Sequence, residues 1–287
     1  MTFPPSAAAD QARPLAILCG GGDFPVRVAE AAKRSGRNPL MIGVIGSADK
    51  RIETYPHLWV SMGQIGKLFA GLKEHAIADM AIVGAMTRPE ISDLRLDWGA
   101  LKRAPGLAAL FRGGDNSLLV GIAKIFEGEG IRIVGVHEIA PELLALDGVW
   151  GVRAISAQAR ADAEKGAALI TALSPFDAGQ SVVVANGRVI AIEAAEGTDA
   201  MLTRVAQMRE AGRLRFRGAI GVLVKAPKAN QDLRLDMPAV GSATIEGAKR
   251  AELEGIALAA GRVLIADRDA FLREAERAGL FVMGMKL

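Results

Sequence analysis

Residues 15–25 read LAILCGGGDFP, an order of residue types that few folds accept. Leu15 to Cys19 is a continuous apolar run of strand length; Gly20, Gly21 and Gly22 then allow a tight turn, and Pro25 sits where the first turn of a helix reaching about Ser35 would place it. A strand passing through glycines into a helix begins a crossover unit, which pairs strands in parallel. The pattern recurs: strands are predicted at 40–44, 80–83 and 131–136, and helices at 67–75 and 118–129. Residues 14–147 therefore read as a Rossmann-like parallel-sheet domain of an α/β protein.

Residues 148–155 carry Gly148 and Gly151 and read as a linker, after which the pattern changes. A long helical stretch from Ser156 precedes SVVVANGRVIAIEAAEG, where Asn186-Gly187 between two apolar runs signals a hairpin. Helices at 199–211 and 245–251, strands at 220–224 and 262–265, and a closing helix and strand make 156–287 a mixed α/β domain. Residues 1–13 lack the apolar stretch of a signal peptide and read as a flexible arm. With 51% hydrophobic residues in 287, the chain sustains a substantial core and a length suited to two domains. One cysteine and three scattered histidines exclude a disulfide framework and a Cys/His zinc site, and favour a reducing, cytoplasmic compartment. A net charge of +3 without blocks of like charge excludes a general nucleic-acid binder. No run is long enough to span a bilayer, so a soluble protein is expected.

Several stretches could carry chemistry. Gly20, Gly21, Gly22 and Asp23 lie before a helix, where backbone N–H groups can receive a phosphate; the plain alternative is a tight turn. A dinucleotide fingerprint would have glycine or alanine where Pro25 stands and an acid after the second strand, where the chain reads GVIG. Gly113 and Gly114, followed by Asp115 and Asn116, either cap a helix or admit a phosphate or sugar hydroxyl. Arg88 follows a predicted strand at its carboxyl end, where open sheets bind ligands. Glu193, Glu196, Thr198 and Asp199 either start a helix or offer carboxylates to Mg²⁺. His57, His75 and His137 lack nearby partners in sequence and are set aside as structural, and Cys19 reads as a small buried hydrophobe.

The sharpest stretch is IGVLVKAPKANQDLRLDMPAVG, residues 220–241. An apolar strand releases Lys225, Lys228, Gln231, Asp232, Arg234 and Asp236. If 232–236 is extended, the two aspartates and Arg234 share one face at steps of about 7 Å. Two carboxylates around an arginine, with two lysines nearby, suit a metal ion and a diphosphate; the plain alternative is a solvated edge strand.

LAILCGGGDFP at 15–25, FRGGDNSLL at 111–119, AIEAAEGTDAML at 191–202 and GVLVKAPKANQDLRLDMPAVG at 221–241, taken together across about 15–285, resemble the bacterial UDP-2,3-diacylglucosamine pyrophosphatases of the type that replaces the calcineurin-like enzyme. The resemblance implies hydrolysis of UDP-2,3-diacylglucosamine to 2,3-diacylglucosamine 1-phosphate (lipid X) and UMP in lipid A synthesis, with water delivered to the β-phosphate between two closing domains. It implies a catalytic aspartate at Asp232 or Asp236. Around that aspartate the expected roles are Mg²⁺ at Asp232 and Asp236 with Glu196 or Asp199, charge neutralisation by Lys225, Lys228 and Arg234, and substrate contact by the glycine turns, Arg88, Asp115, Asn116, Thr198 and Gln231. A two-fold homodimer and a transient contact with the cytoplasmic face of the inner membrane complete the expectation. A nicotinamide-dependent oxidoreductase and a non-catalytic nucleotide or lipid-binding regulator are the alternatives.

Overall fold

The computed structural model describes residues 13–86, 97, 115–151, 153–229 and 231–287, with 115–118 as helical backbone only. Two compact units divide the chain: unit 1 is Met1–Ala140 with Asp232–Asp236, and unit 2 is Pro141–Gln231 with Met237–Leu287.

In unit 1, β1 (Leu15–Cys19) leads into α1 (Phe24–Arg34), then β2 (Leu40–Val44), β3 (His57–Val60), α2 (Ile65–Glu74), β4 (Asp79–Val83), α3 (Asp115–Gly128), β5 (Arg132–Ile133) and the short α4 (Val136–Ile139). The strands pair in parallel in the order β3-β2-β1-β4-β5. Every residue of β1, β2 and β4 is buried, as expected of parallel strands covered on both faces. The order reverses direction between β1 and β4, the switch point where such sheets bind ligands at their carboxyl ends. The strand β3 was not anticipated, because His57, Leu58 and Trp59 are not a clean apolar run. The predicted strand at 131–136 is shorter than expected, since Val136 already begins α4.

At the opposite end of β4, Asp79 is fully buried and holds three arginines: Arg13 Nε at 3.0 Å, Arg37 Nη2 at 2.9 Å and Arg132 Nε at 3.1 Å. Burial opposes its charge, but the hydrogen bonds from Arg132 and Arg37 outweigh that and hold the carboxyl below its usual range.

Unit 2 contains β6 (Gly148–Trp150), α5 (Ala157–Leu173), β7 (Ser181–Ala185), β8 (Arg188–Ile192), α6 (Thr198–Glu210), β9 (Val222–Lys225), β10 (Ala239–Val240), α7 (Ser242–Arg250), β11 (Gly255–Ala259), β12 (Leu264–Ile265), α8 (Arg268–Ala278) and β13 (Phe281–Met285). The main sheet runs β6-β13-β11-β9-β7-β8. Its central strands β9, β11 and β13 are parallel, and β6, β7 and β8 join antiparallel. Gly148–Trp150, inside the expected linker, is thus an edge strand. The β7–β8 hairpin turns at Asn186 and Gly187, both with positive φ, and buried Asp162 of α5 accepts their N–H groups at 2.8 and 2.6 Å. α5 lies close on the sheet because Gly166 has no Cβ, which would stand 2.5 Å from Val224. No helix among the described residues is long and apolar enough to cross a membrane.

Candidate functional site

The glycine turn after β1 lies at the switch point of the sheet, but two of its amides are engaged. Gly20 N–H donates to the Val83 carbonyl at 2.8 Å, Gly21 N–H to the Ala85 carbonyl at 2.7 Å, and Ala85 N–H returns a bond to the Gly21 carbonyl at 3.1 Å. A Cβ on Gly20 would meet the Ala85 oxygen at 2.5 Å, so glycine is needed here for close approach to the chain leaving β4. The expected cradle of three glycine N–H groups is therefore not formed. Gly22, at φ +88°, and the amino end of α1 are what remain for an anion. Asp23 makes no side-chain cap to α1; its carboxylate is ion-paired with Arg51, which also holds Asp49 at 3.0 Å. Cys19 is buried, and burial pushes its thiol up to about 12, which leaves it inert as a nucleophile.

The segment 232–236 is not extended. The N–H groups of Leu235 and Asp236 both donate to the Asp232 carbonyl, at 3.0 and 3.2 Å, so the chain closes one helical turn. The alternation of leucines with charges fits this turn as well as a strand, and the turn wins because Leu235 is drawn into the unit 1 core at 6% exposure. Asp232 and Asp236 stand four residues apart on that turn. Arg234 Nη2 donates to Asp232 Oδ2 at 2.7 Å and its Nε to Oδ1 at 3.1 Å, while Nη1 reaches Glu127 Oε1 at 3.0 Å. The Arg234 hydrogen bond outweighs burial and lowers the Asp232 carboxyl below its usual range, with His137 adding a weaker pull. His137 belongs to this surrounding: a Cβ on Gly135 would meet the His137 ring at 2.2 Å and the Arg234 Cα at 3.2 Å. Its Nδ1 is buried without a hydrogen-bond partner among the described residues. Glu127 and His137 are the residues here that sequence reasoning passed over; the signal for His137 was its place just beyond the carboxyl end of β5.

In unit 2 the strand predicted at 220–224 runs instead over Val222–Lys225, because Gly221 takes φ +93°. Lys225 is thus the last residue of a core strand, 7% exposed, and its Nζ donates to Thr198 Oγ1 at 2.6 Å. Ser181 lies opposite Lys225 on the β7–β9 ladder, and its hydroxyl is 3.1 Å from Thr198 Oγ1. The Thr198 hydroxyl in turn donates to Glu193 Oε2 at 3.1 Å. Lys228 forms an ion pair with Asp177, and its backbone N–H is received by the Gln231 side chain at 3.0 Å. Lys225 and Thr198 are thus brought together, and Lys228 and Gln231 are paired.

Glu196 accepts from Arg204 Nη2 at 2.7 Å and from Ala194 N–H at 3.1 Å, and Asp199 lies in the first turn of α6. Both acids thus take the places the helix-start reading gives them. Among the described residues no three His, Cys, Asp or Glu side chains gather to hold a metal. Asp232 and Asp236 are the hard oxygen donors of this turn; both Asp232 oxygens already accept from Arg234, so a Mg²⁺ ion, which takes one or two carboxylates and fills its shell with water and phosphate oxygens, would share that carboxylate with the guanidinium. Arg88, Gly113 and Gly114 lie outside the described residues, as do the side chains of Asp115 and Asn116.

A family model described as the LpxI N-terminal domain matches residues 14–143, and one described as the LpxI C-terminal domain matches 146–283. The chain belongs to the LpxI family. A Caulobacter vibrioides protein described as UDP-2,3-diacylglucosamine pyrophosphatase LpxI is 39% identical over 273 residues, covering 95% of this chain and 98% of that protein. The LpxI C-terminal match includes residues 232–236, which the structure packs in unit 1.

Proposed function

We propose that the chain hydrolyses UDP-2,3-diacylglucosamine, with water, to 2,3-diacylglucosamine 1-phosphate and UMP, a step of lipid A synthesis. The observation that carries this reading is the 39% identity, over almost the whole of both chains, to the LpxI protein whose name states that activity. The Asp232–Asp236 turn supports it chemically, since hydrolysis of a diphosphate needs a carboxylate to orient water and positive charge against the leaving phosphate.

In this proposal one of Asp232 and Asp236 orients the attacking water and accepts its proton. The P–O bond between the β-phosphorus and the bridging oxygen breaks, and the electron pair leaves with UMP. Lys225, Lys228 and Arg234 offset the charge that moves to that oxygen, as positioned cations do in phosphoryl transfer. Asp232 and Asp236 would hold Mg²⁺, whose chemistry is to neutralise diphosphate charge. Gly22 and the amino end of α1, Arg88, Gly113, Gly114, Asp115, Asn116 and Gln231 are the proposed substrate contacts, whereas the Thr198 hydroxyl is taken up by Lys225, Ser181 and Glu193. A homodimer and a transient contact with the inner-membrane surface belong to the same proposal; sedimentation and vesicle flotation test them.

Incubation of the purified protein with UDP-2,3-diacylglucosamine and Mg²⁺ in ¹⁸O-water tests the reaction. Attack at the β-phosphate puts the label in the sugar 1-phosphate, and label in UMP instead refutes it. Absence of UMP leaves the regulator reading standing. The strand order of unit 1 favours one other reading, a nicotinamide-dependent oxidoreductase. Against it stand Pro25 in the fingerprint and Asp49, the first acid beyond β2, which is bound to Arg51. Thermal stabilisation by NAD would restore that reading.

A further inference from the structure

We propose that Glu193 and Ser181, acting through Thr198, are positioning residues that fix the Lys225 ammonium for the reaction; this rests on the reading that Lys225 meets the substrate diphosphate. The three strands β9, β7 and β8 put these groups on one rung. Ser181 is the ladder partner of Lys225, and the Glu193 N–H donates to the Ser181 carbonyl at 2.9 Å, one step beyond the Val182–Ile192 pair. Adjacent strands lie about 4.8 Å apart, so side chains of one rung meet when they share a face. Thr198, the first residue of α6, closes the group from the next element.

The direction of each bond follows from the groups. An ionised Glu193 only accepts, so the Thr198 O–H points to Glu193 Oε2. The two lone pairs of Thr198 Oγ1 then receive Lys225 Nζ and the Ser181 hydroxyl. That hydroxyl has its full complement of partners, and a fully satisfied buried network is stiff. The opposite charges of Glu193 and Lys225 are thus joined through one oxygen, with Ser181 wholly buried and Thr198 8% exposed. Glu193 is itself seated by the fold. Its Oε2 also receives the Gln180 N–H at 3.3 Å, and a Cβ on Gly179 would lie 2.5 Å from its Cγ. A long flexible lysine at a strand end keeps one orientation only if something holds its ammonium; here the Thr198 hydroxyl receives it, and Ser181 and Glu193 hold that hydroxyl in turn.

The test compares steady-state kinetics of the full chain with Lys225→Met, Thr198→Val, Thr198→Ser, Glu193→Gln and the double variant Thr198→Val/Lys225→Met, with melting temperatures alongside. Thr198→Val and Glu193→Gln should each lower kcat by roughly 10- to 100-fold, the scale of a reacting group displaced by about 1 Å, with KM moving far less. Thr198→Ser should recover most of the loss, and in the Lys225→Met background Thr198→Val should add no further loss. A merely structural role would shift the melting temperature and leave the two losses multiplicative. Wild-type kcat in both Thr198→Val and Glu193→Gln, with Lys225→Met impaired, overturns this inference and leaves the reading of Lys225 intact. Wild-type kcat in Lys225→Met overturns both.

Discussion

Replacing Asp79 by Asn should cost unit 1 a large part of its stability, because it removes one carboxylate from beneath three guanidinium groups. Asp79 is fully buried and the Arg37 side chain is only 9% exposed, whereas Arg13 and Arg132 are 43% and 38% exposed. The two exposed arginines can turn to water, and each such pair contributes at most about 1 kcal/mol. Arg37 cannot, and breaking a buried pair by deleting one partner costs about 3–5 kcal/mol. Taking about 3 kcal/mol, the transition of unit 1 should fall by about 6–12 °C, at the 2–4 °C per kcal/mol typical of domains of this size. The sign with pH follows from the lowered carboxyl of Asp79. Its contribution is complete above the unfolded value of about 3.9 and is lost as pH falls through the lower folded value. Calorimetry of both proteins from pH 3 to 8 should show a constant gap from pH 5 upward that closes below about pH 4. A gap that is absent at pH 7, or that widens on acidification, would refute the reasoning.

Leu235→Ala should remove about 2–5 kcal/mol from unit 1 and lower turnover with it, since the same turn carries both aspartates; Leu235→Met should restore both by calorimetry and assay. Alanine at Asp232 or Asp236 should abolish UMP release in at least one variant while circular dichroism stays unchanged, and near-wild-type activity in both would sink the assignment. Gly20→Ala should force the Ala85 carbonyl aside and cost about 1–3 kcal/mol, read as a lower melting temperature of unit 1 in the absence of any ligand. Chelation by EDTA should stop UMP release and added Mg²⁺ should restore it; full activity in EDTA removes the metal from the proposal.

The parallel half of the fold was legible because buried strands such as Leu15–Cys19 and Leu40–Val44 are uninterrupted apolar runs between glycines and amphipathic helices. The hairpin at Asn186-Gly187 was legible for the same local reason. The central strand β11 was not, because Gly255-Ile256-Ala257-Leu258-Ala259 is alanine-rich and follows a helix without a proline, so its composition does not separate it from helical continuation. In the candidate site, Lys225, Asp232 and Arg234 could be singled out as charges crowded beyond a core strand. The form of the 232–236 turn could not be read, since five residues of alternating type satisfy two periodicities, and burial of Leu235 in unit 1 decides between them. Nor could the link between Lys225 and Glu193 be read. It depends on strand register over more than thirty residues, and no spacing in the sequence reports it.

Leu235 also sets the order in which the protein can be completed during synthesis. The ribosome releases the sheet of unit 1 first, but the hydrophobic cluster that includes Leu40, Met80, Phe126 and Ile133 lacks one member until Leu235 emerges. Glu127 likewise waits for Arg234. The half of the chain that is made first is therefore finished late, and a nascent chain stalled before residue 232 should expose an unfilled apolar gap to chaperones and proteases.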